Sequence, residues 1–227
     1  MNYITTPIYY INLDSCTKRN MHMMELLKGL KFSRISAIDG ANLPPHITPN
    51  PIIPPGANGC LASHITALQQ FLADEFQWCI IMEDDVIDPY SSYWKPYHLD
   101  LLNNGSTDFD ILQLVVIGRY NNPSMVPVSR HKNFWSTGAY LINRHAAKSF
   151  VSRFSSPDGL LDLNRGIQDI PCADNELYCH GITKSLPIFS YSIHIDNISH
   201  VHCTDLLSEK NKYIAQKARI LSFWQQL

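Results

Sequence analysis

Three consecutive carboxylates, Glu83, Asp84 and Asp85, close an apolar run that begins at Trp78-Cys-Ile-Ile-Met82. The run calls for burial as a β-strand, whereas three adjacent acids repel one another and resist desolvation unless a cation sits among them. Ligands of α/β proteins gather at the carboxyl ends of strands, which is where the trio falls. Oxygen donors suit hard ions such as Mg²⁺ or Mn²⁺, and those ions commonly bridge to substrate phosphates. Strand alternation puts Glu83 and Asp85 on one side and Asp84 on the other, so Asp85 with either Glu83 or Asp84 would make a metal pair. A second acidic pair, Asp108-Phe109-Asp110, has D-x-D spacing but precedes its strand and so lies at the amino end; it is read as a solvated turn.

The elements that must position these acids follow from periodicity. Pro7 to Leu13 is an apolar strand, and Thr17 to Leu30 repeats Met21, Met24, Leu27 and Leu30 at helical spacing. Phe32 to Ile38 is a second strand closed by Asp39-Gly40. Six prolines between Pro44 and Pro55 forbid regular structure. Leu61, Ile65, Leu68, Phe71 and Leu72 then form an amphipathic helix leading into the Trp78 strand. Residues 110–117 and 138–142 read as further strands and 144–154 as a helix. Strands separated by helices predict one α/β domain over residues 1–227, with a Rossmann-like, mostly parallel sheet flanked by helices.

A last helix, about 208–226, sets Lys210, Lys212, Lys217 and Arg219 against Tyr213, Ile214, Leu221 and Trp224. It is expected to pack on the domain with a solvated basic face; the alternative is peripheral contact with an anionic membrane. With 227 residues, 45% hydrophobic and 17% charged, the chain can bury a substantial core. A net charge of −2 gives no electrostatic basis for a nucleic-acid partner. No apolar stretch approaches the ~20 residues that span a bilayer, and residues 1–6 lack a signal-peptide pattern. The six cysteines show no C-x-x-C spacing, which fits a reduced, cytoplasmic setting.

Five segments add a family resemblance: Tyr10-Ile-Asn-Leu-Asp-Ser-Cys-Thr-Lys-Arg19, Ala37-Ile-Asp-Gly40, Gly59-Cys-Leu-Ala-Ser-His64, Ile81-Met-Glu-Asp-Asp-Val86 and Ser136-Thr-Gly-Ala-Tyr-Leu-Ile142. Their order resembles glycosyltransferase family 25, which includes bacterial lipooligosaccharide galactosyltransferases and looks related to the collagen galactosyltransferases. The resemblance runs from about Tyr9 to about Ser199. It implies a GT-A-type fold, a nucleotide-sugar donor, usually UDP-galactose, and transfer with inversion to a hydroxyl of a glycan or glycoconjugate.

Roles follow under that resemblance. Backbone groups at Asn12 and Leu13 would read the uracil edge, and Arg19 would neutralise a phosphate. Asp39 resembles the family residue near the nucleoside, and the alternative is a turn acid. Ser63, His64 and Asp84 join the donor side; His64 would otherwise be a hydrogen-bonded structural histidine. Glu83 and Asp85 would hold Mn²⁺ (or Mg²⁺), with a C-terminal histidine as third ligand: His194, for which His200 or His202 could substitute. Inverting transfer needs a base for the acceptor hydroxyl, and Asp174 in Pro171-Cys-Ala-Asp-Asn-Glu-Leu177 resembles the family segment, though it could instead cap a helix. Gly138-Ala139-Tyr140 would shape the acceptor side, with Tyr140 equally a core residue. Two rivals remain: a Mg²⁺-dependent phosphohydrolase, for which the chain lacks a D-x-D-x-T nucleophile motif, and a catalytically inactive nucleotide-sugar binding protein.

Overall fold

The computed structural model describes residues 4–117, 124, 126–167, 172–191, 214 and 218–225. β1 (Ile8–Asn12) is followed by α1 (Thr17–Leu26), β2 (Phe32–Ser36), a short β3 (Ile47–Thr48) and α2 (Pro55–Ala73). Next come β4 (Trp78–Glu83), β5 (Val86–Ile87), α3 (Pro96–Asn104), β6 (Ile111–Gln113), β7 (Val128–Ser129), β8 (Ala139–Asn143) and α4 (Arg144–Phe154). β9 (Leu161–Asp162), α5 (Ala173–Leu177), β10 (Thr183–Ser185) and β11 (Ser190–Tyr191) precede a helix over 218–225.

The central sheet has seven strands in the order β2-β1-β4-β8-β6-β10-β7. β2, β1, β4, β6 and β10 share one direction, while β8 runs antiparallel to both β4 and β6. Periodicity predicts the mostly parallel sheet but not the reversed β8. A parallel neighbour needs a crossover, usually helical, and among the described residues no helix lies between β6 and β8.

Alternation along the strands makes two cores. Tyr9, Ile11, Cys79, Ile81, Tyr140 and Ile142 pack beneath α2, α4 and α5. Ile8, Tyr10, Ile80, Met82, Leu112 and Leu141 pack on the other face with residues of α1, α3 and the C-terminal helix. Strands covered on both faces must be apolar on both, which is why they read as continuous hydrophobic runs. Trp224, only 2% exposed, stacks on Tyr90 at 6.3 Å and meets His98 edge-on at 5.2 Å, so the C-terminal helix does pack on the domain. Lys210, Lys212 and Lys217, with Tyr213, lie outside the described residues. Among the described residues no helix is long and apolar enough to cross a membrane, and the described cysteines are free thiols.

The proline-rich stretch ends by starting α2 at Pro55, whose missing N–H costs a first helical turn nothing. There the chain after β2 packs backbone to backbone on the helix. A Cβ at Gly40 would sit 1.7 Å from Pro55 O, and one at Gly59 would sit 2.5 Å from both Gly40 N and Ile38 O. Ser63 fastens the same contact, donating to Gly59 O (2.6 Å) and accepting from Ile38 N (2.8 Å).

Candidate active site

Glu83 is the last residue of β4 and points, with Cys79 and Ile81, to the α2 side. Its Oε1 lies 3.4 Å from His64 Nε2 and accepts from Thr137 Oγ1 at 2.8 Å. Asp84 turns to the α1 side, where it accepts from Asn12 Nδ2 (2.7 Å) and Arg19 Nη1 (3.0 Å). Alternation stops there, because residues 84–85 form a turn. Asp85 therefore does not simply follow Glu83: its Oδ2 comes 3.8 Å from Arg19 Nη1. Burial, and then the charge of Glu83, push the Asp85 carboxyl up to about 8, against the pull of Arg19.

A fourth carboxylate of the site arrives from α5. Asp174 Oδ2 accepts from Ser136 N (2.8 Å), and Oδ1 lies 3.1 Å from Thr137 Oγ1. Ser136 holds φ at 99°, a left-handed conformation costly for a non-glycine residue. Its surroundings impose it: Tyr178 Oη (2.6 Å) and Gln113 Nε2 (3.0 Å) donate to its carbonyl, and its hydroxyl accepts from Gly138 N (2.9 Å).

Thr137 thus bridges two carboxyl groups with a hydroxyl that carries a single proton. The two carboxyls therefore compete for that proton, the shorter contact being to Glu83. Burial, aided by the charge of Glu83, raises Asp174 above its ordinary range despite the bonds from Ser136 and Thr137. Burial also opposes ionisation of Glu83, but His64, Thr137 and Arg19 outweigh it and leave Glu83 lowered. Of the two carboxyls, Asp174 is thus the more easily protonated. Two carboxyls pushed apart in this way are suited to different tasks, one held ionised and the other readier to take up and release a proton.

The structure brings Asn12, Arg19, His64, Glu83, Asp84, Asp85 and Asp174 to the carboxyl end of the sheet. The carbonyls at Asn12 and Leu13, expected from sequence to read a base, already accept bonds within the chain. That of Asn12 accepts from Ala37 N (2.9 Å) and Arg34 Nη2 (3.2 Å), and that of Leu13 from Cys16 N (2.9 Å). Asn12, Arg19 and Asp84 form a buried latch between β1, α1 and the acidic turn. Ser63 is 2% exposed with its hydroxyl bonded to Gly59 O and Ile38 N, which positions the Asp39 turn. Asp39 itself is exposed and accepts from Ala41 N and Asn42 Nδ2, as a turn acid does. His64 is buried, with Nδ1 3.1 Å from the hydroxyl of the fully buried Tyr140, which is a core residue.

Asp174 is not a helix cap, because Cys172 occupies that position. Asp108 and Asp110 stay at the amino end of β6. Asp108 is exposed, and Asp110 accepts from Asn143 Nδ2 and Ile182 N. His194, His200 and His202 lie outside the described residues. Thr137, Gln113 and Tyr178 carry the site but were not singled out from sequence. Thr137 stands inside a quoted motif, yet its partners are 54 and 37 positions away.

A Rossmann-like, GT-A-type α/β sheet with carboxylates at the end of β4 and a second acid delivered from α5 has the build of a nucleotide-dependent transferase. The chain belongs to glycosyltransferase family 25: the model described as "Glycosyltransferase family 25 (LPS biosynthesis protein)" matches residues 5–158. That span runs from β1 through α4 and includes the acidic trio, while Asp174 lies beyond it. Family membership makes the activity glycosyl transfer from a nucleotide-sugar donor to a glycan acceptor.

Among solved structures, the chain is similar to a glycosyltransferase involved in glycosylation of the major capsid of PBCV-1 (TM-score 0.43, 11% identity, 91% of this chain and 98% of that one). It is similar also to an inositol-1-phosphate CTP transferase from T. maritima (0.42, 10%, 93% and 98%). A nucleoside-diphosphate-sugar pyrophosphorylase from Vibrio cholerae RC9 aligns more loosely (0.37, 11%, 83% and 75%). Likenesses this distant do not bear on substrate. No curated protein matches the chain.

Proposed function

We propose that this chain is a metal-dependent, inverting glycosyltransferase that moves a hexose, galactose in the first instance, from a UDP-sugar to an acceptor hydroxyl. The observation that carries the reading is the Glu83–Thr137–Asp174 bridge beside Asp85. The donor set fits a hard divalent cation. Its atoms are carboxylate oxygens, the nearby Arg19 is drawn to Asp84, and Asp85 is pushed up by burial and by Glu83. Glu83 and Asp85 would hold the ion, with a C-terminal histidine, His194 for preference, as third ligand. When bound, Mn²⁺ or Mg²⁺ supplies charge neutralisation for the departing diphosphate.

The chain's own residues do the rest. Asp174, once ionised, accepts the proton of the acceptor hydroxyl as that oxygen bonds to the anomeric carbon and the bond to UDP breaks on the opposite side. A base raised above the ordinary carboxylate range by burial suits this task better than an unperturbed carboxylate. Thr137 and Ser136 fix the direction of the Asp174 carboxyl, and Arg19 with Asn12 fixes the acidic turn.

The test is sugar transfer from UDP-galactose across an acceptor panel, with chelator and then with Mn²⁺, alongside calorimetric titration of UDP. Transfer lost to chelator and restored by Mn²⁺ supports the reading. Equal UDP affinity with and without metal would remove the metal from it, and phosphate release with no acceptor requirement would replace transfer by hydrolysis.

A further inference from the structure

Cys60, His64 and Glu83 form a cluster that the transfer reaction does not explain. Cys60 and His64 stand four residues apart on α2, one turn along the same face. Glu83 meets them from the end of β4, and one ligand atom from each of the three lies within 4.8 Å of the other two. We propose that this trio is a site for a thiophilic divalent cation of the zinc class, distinct in chemistry from the oxygen-bound ion of the donor site and sharing Glu83 with it.

The geometry supports it in three ways. His64 Nε2 and Glu83 Oε1 are 3.4 Å apart, long for a hydrogen bond but close to the ~3.3–3.8 Å that separates ligands around a tetrahedral zinc with bonds of ~2.0–2.3 Å. Tyr140 Oη lies 3.1 Å from His64 Nδ1 and can accept from its N–H, an outer partner of the kind that leaves Nε2 free to ligate. Finally, Cys60 is half-buried and the Glu83 side chain is 32% exposed, leaving one side for a water as fourth ligand.

Thiolate and imidazole select zinc over Mg²⁺ or Mn²⁺, whereas carboxylates alone do the reverse. The thiol proton leaves to solvent as sulfur binds.

Co²⁺ is the probe, because thiolate coordination gives it a charge-transfer band and four-coordination gives it strong visible absorption. The titration is done without nucleotide. The wild-type protein should show both features, and Zn²⁺ should abolish them. Cys60→Ser should lose the charge-transfer band while keeping its melting curve, and Tyr140→Phe should weaken Zn²⁺ by ~10–100-fold. Cys172→Ser should keep the band, since that neighbouring thiol is the rival sulfur donor. A band unchanged in Cys60→Ser, or a Co²⁺ spectrum with no sulfur contribution, overturns the site. Sharing of Glu83 rests on the proposed donor site and is read separately: Zn²⁺ should weaken Mn²⁺-dependent UDP binding. A sulfur band with UDP binding untouched keeps the trio and removes Glu83 from the donor site.

Discussion

Replacing Asp174 by Asn removes a proton acceptor while preserving the shape around it. The amide oxygen can still accept from Ser136 N, which lies 2.8 Å from Oδ2. The amide N–H can donate to Thr137 Oγ1, 3.1 Å from Oδ1, leaving that hydroxyl to donate to Glu83 as before. The network therefore closes, and the fold should survive. Asp174→Ala, by contrast, strands a buried N–H and should cost ~1–3 kcal/mol, lowering Tm by ~2–4 °C for each kcal/mol.

Loss of a general base should cut transfer by ~10²–10⁴-fold, equivalent to ~2.7–5.4 kcal/mol of transition-state stabilisation. Donor affinity should hold, because Asp174 acts on the acceptor. The sign of the pH effect follows from the raised carboxyl. Only the ionised form is a base, so the wild-type rate should climb with pH through a range above that of ordinary carboxylates and then level. The asparagine variant should lack that climb. Steady-state kinetics with UDP-galactose and an acceptor, beside UDP calorimetry, measures both. Near wild-type turnover in Asp174→Asn would refute the assignment and send the search to another carboxylate.

Asp85→Asn should sharply weaken UDP binding in Mn²⁺, whereas Asp108→Asn, at the opposite end of the sheet, should not; matched titration calorimetry compares them. With metal removed, the same Asp85 change should raise Tm relative to wild type. The raised wild-type carboxyl contributes stability that is fully present below the unfolded value of 3.8 and lost as pH climbs to about 8, so the gap should widen over that window in thermal melts. His194→Ala should weaken Mn²⁺ binding and His202→Ala should not, with the reverse pattern moving the third ligand to His202. Gly40→Ala should lower Tm more than an ordinary surface change, since its Cβ would fall 1.7 Å from Pro55 O, a backbone atom that cannot swing aside.

Much of the scaffold was legible in the chain alone. Apolar strands with acids at their end, helices at a 3.6-residue period and the glycines of two quoted motifs reflect local demands that each residue type meets independently of its distant neighbours. Burial on both sheet faces likewise shows in sequence, because it requires unbroken hydrophobic strands. Other features depend on which segments meet. β8 reverses between β4 and β6, and Gly40 meets Gly59 across the six-proline stretch. Arg19, a cation expected to face phosphate, is turned to Asp84, 65 positions away. Thr137 gains its importance only from carboxyls contributed by β4 and α5. Periodicity records what one residue requires of its own surroundings. The Thr137 bridge between Asp174 and Glu83 depends on the relative placement of three segments, and long-range packing alone fixes that.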